Sequence, residues 1–417
     1  MAAGVLDESS VRALGARAEA MINELAAISA EPNRLVRLFL TPEHRQAAEL
    51  VTGWMRKANL QVLEDALGTL RGRTPTSAGR RLLIGSHIDS VIDAGKYDGP
   101  LGVIAGILAA EHFARTEQKL PFGIDVLAFG DEEGSRFPSA FSTSAAVAGA
   151  FDPAMLKFAD SKGITFADAL AAYRKNPADI APLYQPGEAL AYVEVHIEQG
   201  PVLEAENRPL GVVTGIVGQH RMRVTVSGQA GHAGTVPIKL RQDALVGAAE
   251  MVMAVETLAR GHESDGMVAT VGRIEAFPGA VNVIPGRVDF TVDLRSMTDA
   301  LRRAAILRIE TQARRIAIAR KLKVDFETVH DAPTTACAPA VQDALADAIT
   351  DLGLTPVRLP SGAGHDGQMM AKLCPIGMLF VRCRGGISHN PAEYASPQDM
   401  GYAIAALIRF IERFDPG

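Results

Sequence analysis

The chain has few of the features that mark secreted or membrane-bound proteins. Among its 417 residues there are only three cysteines, Cys337, Cys374 and Cys383, and no two of them form a CxxC pair. This excludes a disulfide framework or a cysteine zinc site and favours a cytoplasmic protein. The first residues lack the basic and then apolar pattern of a signal peptide. The longest apolar run, Leu101 to Ala110, is too short to span a bilayer and predicts a buried helix.

An excess of positive charge is also missing. Lysine and arginine number 42 against 48 acidic residues, so the net charge of −6 argues against nucleic acid or an anionic membrane as a partner. Basic residues between 302 and 323 alternate with apolar ones, which predicts the solvated face of a helix. Aromatic residues are scarce at 5%, and they indicate no particular substrate pocket. The hydrophobic content of 47% is ample for a globular core.

From Leu82 onward, strand-like and helical segments alternate. This pattern predicts an α/β fold with a mixed, mostly parallel sheet flanked by helices. Helical spacing is also present over residues 1–35, 42–58 and 165–175. In such sheets, sites form at the carboxyl ends of the strands.

A different pattern begins near Gly215. Strict alternation at Met222, Val224 and Val226 predicts a half-exposed antiparallel strand. The order of elements that follows predicts a compact α+β domain with one open sheet face, placed at residues 214–331. We therefore expect it to interrupt a discontinuous domain formed by residues 1–213 and 332–417.

Acidic and histidine residues follow apolar strand-like runs at four places. The candidate ligands are His87, Asp98, Glu132, Glu133, His196 and His389. A lone histidine or acidic turn is more often a packed or solvated residue, but four such strand ends together favour one shared site. Three imidazoles with two or three carboxylates suit zinc or manganese. If one carboxylate bridges, and Asp98 is the natural bridge, five ligands can hold two ions about 3.5–4 Å apart.

The two adjacent glutamates can have different functions. Neighbouring side chains diverge at a strand end, so one glutamate of the pair Glu132–Glu133 can bind metal while the other accepts a proton from water. Asp89 lies two residues after His87 and could accept the second ring N–H of a ligand histidine.

Seven segments carry a resemblance to a known family. They are GSHIDSVIDAGKYDGPLGV, GDEEGSRFP, VHIEQGPVLE, GQAGHAGTVP, FPGAVNVIPGRVDFTVDLRS, SGAGHDGQMMA and GGISHNPAE, in one order over residues 85–395. As a set they resemble the dinuclear-metal amidohydrolases of the M20 peptidase superfamily, in the branch that hydrolyses ureido and carbamoyl compounds. The resemblance implies a zinc-peptidase-like catalytic domain, an inserted lid and dimerisation domain, and a homodimer formed through that domain.

The resemblance also implies residue roles. Two divalent ions per subunit, Zn²⁺ or Mn²⁺, would be held by His87, Asp98, Glu133, His196 and His389, with Asp98 bridging. Glu132 would be the general base, and Asp89 would orient His87. His232 would approach the scissile carbonyl from the lid. The substrate-binding residues would be Gln199, His232, Asn282, Arg295, Gly362 and Gly364.

A small ureido acid is the substrate class that the resemblance implies. The segment LFVRCRGGISHNPAE resembles allantoate amidohydrolases more than carbamoylases, so allantoate is the expected substrate. The alternatives are an N-carbamoyl-L-amino-acid hydrolase or a β-ureidopropionase, a peptidase of the same superfamily, and an inactive binding protein of this fold. Arg295 offers a bidentate fork for a substrate carboxylate. Its alternative role is an ion pair with Asp293 or Asp289.

Overall fold

The computed structural model describes residues 7–416, which divide into two compact units. The first unit comprises residues 7–214 and 336–416, and the second is Gly215–Thr335. The second unit therefore extends to Thr335, beyond the boundary at residue 331 that the sequence predicts. Thr334 belongs to it because its hydroxyl accepts the Gly218 N–H at 3.1 Å and its own N–H donates to Asp299 at 3.0 Å.

The described helices and strands follow in chain order. The α-helices are α1 (Glu8–Ala26), α2 (Pro42–Lys57), α3 (Pro100–Thr116), α4 (Ser142–Val147), α5 (Phe166–Ala172), α6 (Val202–Ala205), α7 (Ala244–Arg260), α8 (Asp299–Arg320), α9 (Pro339–Thr350), α10 (Gly367–Met370) and α11 (Pro397–Arg413). The strands are β1 (Gln61–Glu64), β2 (Leu70–Arg73), β3 (Arg81–His87), β4 (Gly123–Phe129), β5 (Ala189–Ile197), β6 (Leu210–Ile216), β7 (Gly218–Ser227), β8 (Gly231–His232), β9 (Val268–Thr270), β10 (Ile274–Phe277), β11 (Val283–Ile284), β12 (Arg287–Ser296), β13 (Lys323–Ala332), β14 (Thr335–Ala336), β15 (Val357–Ser361) and β16 (Ile376–Val381).

The first unit is built on a nine-stranded mixed sheet. Its strand order is β1-β2-β4-β3-β5-β16-β6-β14, with β15 beside β6. The four central strands β4, β3, β5 and β16 are parallel, while β2 and β6 join them antiparallel. This confirms the predicted α/β class and its parallel centre.

Continuous apolar runs explain the centre of this sheet. Every residue of β3, β4 and β16 is buried, as expected for strands covered on both faces. Helix α3 starts with Pro100, whose fixed φ suits the first helical position, and it packs on β3 and β5. Helix α11 contacts α1, α3 and α9 to complete one core.

The amino-terminal helix is shorter than its sequence pattern predicts. The prediction covered residues 1–35; the first six lie outside the described residues, and α1 ends at Ala26. The chain then turns because the Ser29 hydroxyl accepts the N–H groups of Glu31 and Val36, a local alternative to helical bonding. Pro32 also lacks the N–H that a continuing helix needs.

The second unit is an antiparallel sheet with two helices on one face. Its order is β10-β12-β7-β13, with β9 beside β12 and a separate β8–β11 pair. Met222, Val224 and Val226 are buried beneath α7 and α8, as their alternation predicts. No helix within residues 7–416 is long and apolar enough to cross a bilayer.

Candidate metal centre

Four neighbouring strand ends build the site in the first unit. His87 ends β3, the pair Glu132–Glu133 follows β4, and His196 lies near the end of β5. His389 follows β16 in a loop and has a φ of 53°. Because these four strands are parallel neighbours, their carboxyl ends lie on one edge of the sheet, where such folds place ligands.

The turn before α3 brings Asp98 beside His87. Gly99 has a φ of +83°, in the left-handed region that only glycine adopts at low cost. A Cβ at Gly99 would also overlap the His87 imidazole. The turn therefore depends on this glycine, which leaves room for the His87 ring next to Asp98.

Asp98 is shared between two groups of possible metal ligands. One group is His87, Asp98 and His196, and the other is Asp98, Glu133 and His389, with the ligand atoms of each group within 4.8 Å of one another. Asp98 Oδ1 lies 3.0 Å from His196 Nε2 and 3.5 Å from His87 Nε2. His389 Nε2 lies 3.3 Å from both Asp98 Oδ2 and Glu133 Oε2. A carboxylate with each oxygen facing a different set of ligands is suited to bridge two cations.

The two buried imidazoles are oriented as metal ligands are. His196 Nδ1 lies 2.9 Å from the Ile197 carbonyl, so its N–H is used there. His87 Nδ1 faces the Asp89 carbonyl at 3.3 Å. The Nε2 atoms of both rings are buried and have no hydrogen-bond partner among the described residues. Bare, buried imidazole nitrogens beside a carboxylate are what a bound divalent cation requires, so the residues present fit such an ion.

The pKa shifts of the acidic residues are also consistent with a site for cations. Burial opposes ionisation of Asp98, yet the imidazoles of His196, His389 and His87 hold its pKa well below the usual range. Burial, reinforced by the charge of Asp98, raises the pKa of Glu133 to about 7. Burial also raises the pKa of Glu132 well above its ordinary value, with the charge of Glu133 adding to the effect. Cations bound between these carboxylates would offset their mutual repulsion.

Asp89 supports both sides of the site. Its Oδ1 lies 3.4 Å from His87 Nδ1 and accepts the Glu132 N–H at 3.3 Å, while its Oδ2 accepts the Glu133 N–H at 3.3 Å. One buried carboxylate therefore fixes both the His87 ring and the backbone that carries the acidic pair. The sequence suggested only its contact with the histidine.

Gln199 lies at the site, but its amide nitrogen binds a ligand residue. Gln199 Nε2 donates to Asp98 Oδ2 at 2.8 Å and to Ser388 Oγ at 3.2 Å. Its Oε1 is buried without a partner in the described part of the chain. The oxygen is therefore the Gln199 atom left for a substrate contact, and that contact stays a prediction.

Two further side chains that sequence reasoning missed adjoin Asp98. Ser388 Oγ lies 2.7 Å from Asp98 Oδ2, and Glu393 accepts the N–H groups of Tyr97 and Asp98 at 2.8 and 3.1 Å. Both belong to the segment GGISHNPAE that carries His389. Their place in that segment was the available signal, but no periodicity shows which loop residues point inward.

A third polar cluster lies against the His196 ring. Glu194, His196 and His365 lie close together, and the rings of His196 and His365 have centroids 4.5 Å apart. The Glu194 carboxylate already accepts hydrogen bonds from Ser86, Tyr192 and the Gly367 N–H. These hydrogen bonds hold the Glu194 carboxylate in place, and the ring contact with His365 restricts the His196 imidazole.

Gly362 and Gly364 lie in the loop between β15 and α10 that leads to His365. A Cβ at Gly364 would come within 3.0 Å of the Phe141 ring. The structure thus places this loop in the first unit, and its contact with substrate stays a prediction.

The three remaining predicted residues lie in the second unit. His232 is exposed on β8, where it pairs with Val283, and the Asn282 carbonyl accepts the Ala233 N–H at 3.0 Å, so His232 and Asn282 are neighbours. Arg295 lies on β12 and makes a bidentate ion pair with Asp293 at 3.0 Å for each bond. The ion pair expected as the alternative is therefore present with Asp293. It does not exclude a substrate role, because a guanidinium has five N–H donors.

The fold and its ligand cluster define a class, the hydrolases that combine a mixed α/β fold with a divalent-metal site. Residues 83–413 match Peptidase family M20/M25/M40, and the chain belongs to this family. Members of the family generally use divalent metals.

Three proteins illustrate the similarity. An allantoate deiminase of Arabidopsis thaliana is 42% identical, over 95% of this chain and 81% of its own. An N-carbamoyl-L-amino acid amidohydrolase of Geobacillus stearothermophilus is 38% identical, over 97% of this chain and 99% of its own. The crystal structure of an amidase of the hydantoinase/carbamoylase family from Burkholderia multivorans superposes with a TM-score of 0.89 at 34% identity, covering 95% and 97% of the two chains.

Proposed function

We propose that this chain hydrolyses a linear ureido C–N bond, with allantoate as substrate and ammonia and carbon dioxide among the products. One observation carries the proposal: Asp98 is shared by two groups of possible ligands, and the buried carboxylate of Glu132 lies beside them, 4.0 Å from His87 Nε2. The 42% identity to an allantoate deiminase supports the choice of substrate.

In this proposal two divalent cations, zinc or manganese, would be held by His87, Asp98, Glu133, His196 and His389, and Asp98 would contribute to both ligand groups. When bound, such ions polarise a ureido carbonyl and lower the pKa of water toward neutrality.

The proton is handled by Glu132. Its side chain is only 9% exposed, and Asp89 holds its backbone, so the carboxylate is placed with little freedom. Glu132 accepts a proton from the attacking water at a carboxylate oxygen and returns it to the leaving nitrogen. The buried surroundings that raise its pKa make Glu132 a stronger base than an exposed glutamate.

The proposed substrate contacts are those that the resemblance of the sequence motifs implies. Arg295 binds the substrate carboxylate through its guanidinium fork, and His232 donates a hydrogen bond to the developing oxyanion. Asn282, Gln199 Oε1 and the backbone at Gly362 and Gly364 complete the set of proposed contacts.

The preference for allantoate rests on similarity rather than on a contact. The segment LFVRCRGGISHNPAE, which resembles allantoate amidohydrolases, contains the pair Arg382–Cys383. In the structure Arg382 makes a bidentate bond to Asp399 on α11, and Cys383 is buried. Arg382 is thus paired within the protein and Cys383 is buried, so hydrolysis of N-carbamoyl-L-amino acids remains the second candidate, supported by the 38% identical amidohydrolase.

We further propose a cytoplasmic homodimer formed through residues 215–335. Light scattering of the purified protein tests this assembly. A mass of twice the chain is expected, and the mass of one chain would contradict it.

Metal removal tests the proposed function directly. Protein stripped with a chelator should release no ammonia from allantoate, and added Mn²⁺ or Zn²⁺ should restore the activity with up to two ions bound per chain. Full activity in metal-free protein would overturn the proposal.

A further inference from the structure

Glu393 joins the two loops that carry Asp98 and His389. Its side chain is only 4% exposed, and Oε1 accepts two backbone N–H groups, from Tyr97 at 2.8 Å and from Asp98 at 3.1 Å. Its Oε2 lies 3.1 Å from Ser388 Oγ, next to His389 in sequence. A single carboxylate thus bonds to the backbone of one candidate ligand and to the neighbour of another.

The opposite loop is shaped to receive this carboxylate. A Cβ at Gly95 would overlap the Cβ, Cδ and Oε1 of Glu393. The absence of a side chain at position 95 is therefore what lets Glu393 reach the N–H groups of Tyr97 and Asp98.

Ser388 extends the connection to the Asp98 carboxylate. Its Oγ lies 2.7 Å from Asp98 Oδ2 and accepts a hydrogen bond from Gln199 Nε2 at 3.2 Å. Asp98 is therefore fixed twice, at its backbone by Glu393 and at its carboxylate by Ser388 and Gln199. Hydrogen-bonding groups behind a ligand set its direction and its affinity for metal.

We infer that Glu393 is a positioning residue that sets the distance between Asp98 and His389, and so controls how tightly the ion in the group Asp98, Glu133 and His389 is held. His87 and His196 lie on strands, so the sheet itself fixes the first group. Asp98 and His389 both lie on loops, and Glu393 supplies the link that the sheet does not. This inference rests on the proposed metal-dependent function.

Glu393→Ala removes the carboxylate that links the two loops. Glu393→Gln keeps a side chain of the same shape. The amide oxygen can still accept the two N–H groups, and the amide nitrogen can donate to Ser388 Oγ. With Mn²⁺ titrated into chelator-stripped protein, we expect Glu393→Ala to weaken one of two binding steps about 10–100-fold, the usual cost of losing such a supporting group. Glu393→Gln should stay within a few-fold of the natural protein, and excess Mn²⁺ should restore most of kcat in Glu393→Ala.

Glu204→Gln is the matched control. Glu204 is exposed, and its carboxylate also accepts a backbone N–H of the same loop, from Gly385 at 2.7 Å, but it does not contact Asp98. It should bind Mn²⁺ like the natural protein. Should Glu393→Ala fail to fold, Gly95→Ala displaces the carboxylate without removing it and should weaken the same step.

The outcomes separate the inference from the proposed function. If the natural protein binds no Mn²⁺, the proposed function fails. If it binds two ions and Glu393→Ala or Gly95→Ala binds them equally well, only the inference is wrong. Equal losses in Glu393→Gln and Glu393→Ala would show that charge rather than geometry matters, and they would overturn it too.

Discussion

Asp98 shows how much of the site depends on single side chains. Its carboxylate faces His196 and His87 on one oxygen and accepts hydrogen bonds from Gln199 and Ser388 on the other. These partners orient the carboxylate through protein contacts alone. A cation that binds there would lose little free energy to reorganisation of its ligands.

The proton-transfer role of Glu132 is tested by Glu132→Gln. The amide keeps the size of the side chain and leaves the backbone bond to Asp89 in place, but it cannot accept a proton. We expect kcat to fall about 10²–10⁴-fold while metal content, measured by elemental analysis, stays unchanged. Activity at the level of the natural protein would refute the role of base.

Arg295→Ala tests recognition of the substrate carboxylate. Loss of a charged, bidentate contact should raise KM for allantoate about 10–100-fold, equivalent to roughly 1.5–3 kcal/mol, with a smaller effect on kcat. Arg273→Ala is the control, because Arg273 forms a comparable ion pair with Glu275 two residues along on the surface of the same unit. An unchanged KM in Arg295→Ala would leave this arginine with only its structural pair to Asp293.

Among the elements, α3 packs tightly on the sheet at Gly102. At Gly102 a Cβ would overlap the carbonyl oxygen of Val195 and come within 2.7 Å of the Ser86 Cβ. Val195 precedes the candidate ligand His196, so the position of α3 and the geometry of the site are linked through β5.

Gly102→Ala should therefore both destabilise the fold and disturb the site. We expect a loss of about 1–3 kcal/mol in the free energy of unfolding, as for other overpacked cores, together with weaker metal binding. Gly53→Ala is the control, since Gly53 lies in α2 with no atom near its Cβ position, and it should gain about 0.5–1 kcal/mol. Denaturant unfolding measures the change in stability of both variants. Equal effects of the two substitutions would contradict the packing argument.

Helix α2 carries a buried histidine that makes stability depend on pH. His44 is fully buried, its Nδ1 lies 2.9 Å from the Tyr173 hydroxyl, and burial lowers its pKa to about 4. The unfolded chain binds a proton near pH 6.5, so this contribution is complete above pH 6.5 and is lost as the pH falls toward 4.

The size of this contribution is about 3 kcal/mol. We expect unfolding of His44→Asn, which cannot titrate in this range, to show a flatter pH dependence between 4 and 6.5 than the natural protein. His262→Asn, at a partly exposed position, is the control and should keep the natural slope. An unchanged slope in His44→Asn would show that other groups dominate.

The elements that could be predicted are those whose sequence pattern is contained within the element itself. Buried strands such as β3 and β4 are continuous apolar runs, and their ends place His87 and Glu132 on one edge by topology alone. Glu393, Ser388 and His44 could not be placed, because their roles depend on loops and helices brought together from distant parts of the chain. The end of α1 was also missed, because Ser29 bonds to the backbone only once the turn has formed.

In the whole molecule, the proposed catalytic residues and some of the proposed substrate-binding residues belong to different units. The candidate ligands and base lie in the first unit, while His232, Asn282 and Arg295 lie in residues 215–335. Each unit has its own hydrophobic core. Metal binding should therefore survive substitutions such as Arg295→Ala that impair substrate binding.

Ammonia release from allantoate, compared with a panel of N-carbamoyl-L-amino acids, tests the central claim most directly. Protein loaded with Mn²⁺ or Zn²⁺ should act on allantoate with the highest kcat/KM of the panel. The stripped protein should be inactive, and Glu132→Gln should be slower by about 10²–10⁴-fold. A higher kcat/KM for an N-carbamoyl amino acid would move the assignment to the second candidate. No activity on any ureido compound by the metal-loaded protein would contradict the account.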